Sequence, residues 1–117
     1  MSLSVEFITK ESILLVRLEG ELDHHEATNL REEWQAQLAQ NEVDHVIVNL
    51  EKLNFMDSSG LGVMLGRYKE IQAADGEMMI CSVSPDVKRL FDLSGMFKIV
   101  RLVDNEDFAL QMLGVAS

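Results

Sequence analysis

Val46-Ile-Val-Asn-Leu-Glu-Lys-Leu-Asn-Phe-Met-Asp-Ser-Ser-Gly-Leu-Gly-Val63 joins two hydrophobic periods, and its reading decides the fold. Val46 to Leu50 is short, β-branched and almost continuously apolar, the composition of a central strand covered on both faces. From Leu61 the apolar positions continue through Met64, Leu65, Tyr68 and Ile71, spaced by three and four, which marks one buried face of a helix. A strand therefore gives way to a helix that begins near Asp57 to Ser59 and ends around Ala74. The loop from Asn54 to Gly60 follows the central strand.

A helix start leaves up to four backbone N–H groups unpaired and carries a partial positive charge, so it attracts Asp or Ser as a cap and attracts phosphate equally well. Asp57, Ser58 and Ser59 give three cap-forming residues in a row where one suffices. Gly60, Gly62 and Gly66 then fall inside the predicted helix, where each costs about 1 kcal/mol relative to alanine. Close packing on a sheet is one reading of Gly62 and Gly66, which lie four apart on a single stripe. Gly60, beside the hydroxyls, is read as room for another molecule to approach.

Outward from this segment, Leu3, Val5 and Phe7 alternate with polar residues and Ile13 to Leu18 follows a polar turn, which predicts an N-terminal hairpin ending at Gly20. Asp23 with Glu26 resembles a capping box, and Ala27, Leu30, Trp34 and Leu38 mark the inner face of a first helix. Asp75-Gly76 turns the chain into a strand at Met78 to Val83. Ser84 caps a short helix with Pro85 at its first position and Gly95 past its end. Ile99 to Val103 is a last strand, and Asp104 opens a closing helix carrying Phe108, Met112 and Leu113. The fold class is α/β, with a mixed sheet that starts antiparallel and continues as βα units with packed helices. In such sheets ligands and partners meet the loops beyond the carboxyl ends of the strands.

With 117 residues, 47% apolar, and one proline, the chain suits one compact domain over 1–117. The formal charge of -10 argues against binding nucleic acid or an anionic membrane and calls for a basic face on any partner. No apolar run approaches the roughly 20 residues of a membrane span, and the first residues lack signal-peptide character, so the expected location is cytoplasmic. Cys81, the single cysteine, lies in an apolar run and is expected in the core.

Enzymatic readings lack their partners. Gly60-x-Gly62-x-x-x-Gly66 misses the G-x-G-x-x-G spacing of a dinucleotide site and has no acidic residue at the expected distance, although a small nucleotide-binding enzyme remains the alternative reading. Asp57 as a phosphate acceptor would need Mg²⁺ and further carboxylates at neighbouring strand tips. Ser58 and Ser59 do not sit in a G-x-S-x-G elbow, and His24, His25 and His45 form no evident base or metal pair. No catalytic residue, cofactor or metal site is assigned. Modification of a hydroxyl by a separate enzyme remains, since a phosphate would add nearly two negative charges beside Asp57. The residues alone leave open whether Ser58 or Ser59 receives it.

The block Met56-Asp-Ser-Ser-Gly-Leu-Gly-Val63, with Gly20-Glu-Leu-Asp23, Val46-Ile-Val-Asn-Leu50 and Leu90-Phe-Asp-Leu-Ser-Gly95, resembles the anti-sigma factor antagonists of the STAS family, most closely those directed at the anti-sigma F factor of spore-forming bacteria. The resemblance runs across the whole chain, and the motif shows no departure from the family. It implies a non-enzymatic regulator. In its unphosphorylated form it binds an anti-sigma factor that is a serine kinase and releases a sporulation sigma factor. The kinase phosphorylates the serine directly after the aspartate, here Ser58, and a serine phosphatase reverses this. The resemblance also places Asp23, Met56, Asp57, Ser59, Gly60, Leu61 and Gly62 at the partner-binding surface. A STAS module of a stress-response complex is a further alternative.

Overall fold

The computed structural model describes residues 2–115. Its five strands form one sheet in chain order: β1 (Leu3–Lys10), β2 (Ile13–Leu22), β3 (His45–Met56), β4 (Met78–Cys81) and β5 (Arg101–Val103). β1 and β2 are antiparallel, and the remaining pairings are parallel, which gives the expected mixed sheet. The connections between the parallel strands carry α1 (His24–Gln40), α2 (Ser58–Ala73) and α3 (Pro85–Ser94), and α4 (Glu106–Met112) follows β5.

Alternation along the strands divides the core in two. Leu14, Val16, Val46, Val48, Leu50, Met78 and Ile80 face α1, α2 and α3, joined by Trp34, Met64 and Phe91. Ile13, Leu15, Ile47, Met79 and Cys81 face the other way and meet Ala109 and Leu110 of α4. β3 is thus covered on both faces over its first half. Cys81 is fully buried, and that burial pushes its thiol up to about 11.

β3 is longer than its apolar run predicts. It continues to Met56, so Asn54 to Met56 are strand and Asp57 alone separates strand from helix. Its register with β2 passes from Arg17↔Asn49 to Glu19↔Lys52 and from Gly20↔Leu53 to Glu21↔Phe55, one extra residue on β3 each time. These two bulges break the period of two, so the buried residues Leu50, Leu53 and Met56 fall three apart and the strand pattern is hidden. Gly20 meets the same irregularity at φ +106, where an added Cβ would lie 2.5 Å from the Ser2 carbonyl oxygen.

Three further boundaries differ from expectation. β4 stops at Cys81, before Val83, where Ser82 turns with φ +59. β5 starts at Arg101 because Met96–Lys98 winds as a 3-10 turn and the Ile99 N–H donates to the Met96 carbonyl. Asn105, not Asp104, caps α4 by accepting from the Phe108 N–H. The covered residues of α4 are Ala109 and Leu110, so Phe108 and Met112 face outward. Gly95 ends α3 in the left-handed region, and Ser84 caps it, as predicted.

Candidate functional site

β2 and β3 end side by side, and each passes through one aspartate into a helix. Leu22 pairs with Met56, and the Asp57 N–H donates to the Leu22 carbonyl oxygen at 3.3 Å. Asp23 caps α1, its Oδ1 accepting from the Glu26 N–H at 3.0 Å, and Asp57 caps α2, its Oδ1 accepting from the Ser59 N–H at 2.9 Å. Two helix N-termini and two carboxylates therefore converge at the carboxyl end of the sheet, where partners meet such folds.

The hydroxyls differ in accessibility. Ser58, the first residue of α2, is exposed, whereas Ser59 is half-buried beside Gly62 and Val63 in a shallow groove shared with His24, Thr28 and Arg31 of α1. With the Asp57 carboxylate engaged by the Ser59 amide and its carbonyl accepting from Gly60 and Leu61, the cap is complete without either serine side chain. Ser58 Oγ takes no part in the cap.

The glycines take the reverse of their expected roles. Gly60 is buried: a Cβ there would lie 2.5 Å from Met56 Cγ and 2.9 Å from Leu22 Cδ2, so its bare backbone lets α2 settle on the strand ends and clears no approach from outside. Gly62 is exposed and Gly66 half-exposed, with nothing within 4 Å of an added Cβ, so neither packs on the sheet. Of the residues expected at the partner surface, Asp23, Asp57, Ser59 and Gly62 are accessible, as is Ser58, the expected phosphorylation site. Met56, Gly60 and Leu61 form the floor beneath them, with Met56 at 7% and Leu61 at 8% exposure.

Two features escaped the sequence reading. Arg67 lies on the buried face of α2, where its Nη2 and Nε hold Glu70 Oε1 at 2.7 and 2.9 Å. The signal was its phase, three residues after Met64 on the buried stripe. Beside Ser58, the overhang of β3 and α3 form an apolar groove lined by Phe55, Met56, Leu90 and Leu93. Leu93 falls off the Val87–Phe91 stripe of its helix, and that mismatch was the signal.

On the opposite face of the sheet, Arg17 donates through Nη2 and Nε to Glu106 at 2.7 and 3.0 Å, and Asn49 Nδ2 donates to the same carboxylate at 3.0 Å. The Arg17 hydrogen bonds hold the Glu106 carboxyl below its usual range against the opposing effect of burial, and the Arg17 guanidinium is raised in turn. These groups satisfy one another and tie α4 to the sheet. Among the described residues, no cluster of three or more His, Cys, Asp or Glu is placed to hold a metal ion, and no helix is long and apolar enough to cross a membrane.

Comparison with known proteins agrees with this architecture. The profile of the STAS domain matches residues 4–109. The anti-sigma F factor antagonist of Paenibacillus polymyxa is 47% identical over 117 residues, covering all of both chains. The anti-sigma factor antagonist SpoIIAA in its unphosphorylated form superposes with a TM-score of 0.76 at 31% identity, covering 97% of this chain and 98% of that one. The Bacillus cell fate determinant SpoIIAA in the phosphorylated form gives 0.73 at 32% identity, covering 96% and 99%.

Proposed function

The chain belongs to the STAS domain family, and from that premise we propose that it is an anti-sigma factor antagonist switched by phosphorylation on Ser58. It is a regulatory protein and not an enzyme. The unphosphorylated form binds a cytoplasmic anti-sigma factor that is a serine kinase, and so releases the sporulation sigma factor which that kinase holds. Asp23, Asp57, Ser59 and Gly62 meet the partner around Ser58. Met56, Gly60 and Leu61 keep that surface in shape from below.

The observation that carries this reading is the exposed Ser58 hydroxyl at the first position of α2, next to a cap that needs nothing from it. In the transfer, Ser58 Oγ bonds to the γ-phosphorus of ATP and the bond to the β-phosphate oxygen breaks, so ADP leaves. The hydroxyl proton passes to a base on the kinase. The product carries nearly two negative charges beside Asp57 on a chain already at -10. A partner surface closed around a neutral hydroxyl has no room for the phosphate, whose charges would have to be stripped of water at the contact, and the complex opens. A serine phosphatase restores the hydroxyl by hydrolysis.

The fold needs no backbone change for this, since α2 is already capped and the charge acts locally. Incubation with the purified cognate kinase and ATP, followed by mass-spectrometric mapping, is predicted to place a single phosphate on Ser58, with Ser58→Ala unmodified. Phosphate on Ser59, or none at all, would overturn the assignment.

A further inference from the structure

We infer that the groove between the overhang of β3 and α3 is the second half of the surface that takes the anti-sigma factor, with Phe55, Leu90 and Leu93 receiving an apolar side chain and Arg89 a carboxylate of that partner. This rests on the Ser58 reading above and extends the contact surface it requires.

The groove and the switch are continuous. Met56 lines the groove, and the next two residues are the cap Asp57 and the hydroxyl of Ser58. Phe55 precedes Ser58 by three residues, a distance of at most about 10 Å along the chain. A stable protein interface covers about 800 Å² on each partner, a patch with a radius of about 16 Å. A kinase seated on Ser58 with an interface of that size therefore reaches the rim of the groove.

The groove gathers exposed apolar surface next to the switch. Leu93 is 80% exposed and Phe55 41%, two of the six large apolar side chains left in water among the described residues, and both line one depression. The groove measures about 330 Å³, at the floor of the roughly 300–1,000 Å³ typical of small-molecule sites, and its lining is mostly apolar, which suits protruding side chains. A buried aromatic or aliphatic anchor of this kind supplies most of the energy of many interfaces.

Charge sets the identity of the occupant. Asp23 and Asp57 at the Ser58 end call for a basic contact. On α3, Lys88 is paired with Asp92 at 3.2 Å, while Arg89, which lines the groove, takes part in none of the ion pairs among the described residues. Asp86 is the one carboxylate lining the groove. The complementary partner thus carries basic residues opposite the switch and an apolar residue next to an acid opposite α3. A second copy of this chain fits poorly, because its net charge of -10 would bring carboxylates against Asp23 and Asp57.

The test is titration calorimetry of the unphosphorylated full chain against the purified cognate kinase, together with initial rates of Ser58 phosphorylation. Leu93→Asp should weaken binding about tenfold or more, and Arg89→Glu should weaken it several-fold with a flatter salt dependence. Both should raise KM with kcat little changed. Met112→Ser, at an exposed position on α4 under the other face of the sheet, should stay within about twofold of wild type. Leu93 and Arg89 are exposed, so unchanged circular dichroism and melting would show that the fold is intact. If both groove variants bind within about twofold of wild type while Ser58 is still phosphorylated, the groove proposal is wrong and the Ser58 reading stands. If the kinase neither binds nor phosphorylates wild type, both fail together.

Discussion

Gly60 and Gly62 stand two positions apart and answer to different forces. At Gly60 an added methyl would press on Met56 and Leu22, both packed under the start of α2. Gly60→Ala is therefore predicted to lose about 1–2 kcal/mol despite alanine's better helix propensity, because overpacking outweighs it. Gly62→Ala meets open space and should gain up to about 1 kcal/mol. Urea unfolding of the two variants reads both numbers. If Gly62 lies on the docking surface, that more stable variant should also bind the kinase less well. A stabilising Gly60→Ala would contradict the packing account. Sequence reasoning assigned these glycines the wrong way round because spacing locates a residue on a helix but does not show what faces it.

Among the elements, α2 and α3 were legible because their caps, stripes and terminal glycine agree with one another. Asp57 and Ser84 accept from their own helix amides, and Gly95 takes the left-handed conformation. β3 was legible only to Leu50, since two bulges conceal its second half, and that half carries Phe55 and Met56 to the site. α4 was misread by one face because a seven-residue helix offers too few turns to fix its phase. Its attachment gives a pH prediction. The Glu106 carboxyl is held below its ordinary value of 4.5 chiefly by the Arg17 hydrogen bonds, so its stabilising contribution is complete above that value and is lost as pH falls through the lower folded one. Glu106→Gln should be less stable at neutral pH by on the order of 1 kcal/mol. It should also lose less than wild type as pH falls below the ordinary carboxyl value of 4.5, as measured by chemical unfolding at each pH. Parallel acid profiles would show that the pair contributes nothing.

For the whole molecule, the sheet order and the two adjacent strand ends bring the first turns of α1 and α2 to one acidic face. The motif at Asp57–Gly62 could be placed at a helix start from sequence. Its meeting with Asp23 requires the Leu22↔Met56 pairing, a long-range contact that local periodicity does not encode. The choice of Ser58 over Ser59 likewise came from family resemblance, and the structure adds that Ser58 is the more exposed of the two. The account depends on one hydroxyl controlling one interface. Its most direct measurement is the affinity of the cognate anti-sigma factor for this protein before and after stoichiometric phosphorylation of Ser58. The prediction is a loss of at least about a hundredfold, with Ser58→Ala binding like the unphosphorylated protein. Affinities of the two forms within about threefold of each other would contradict it.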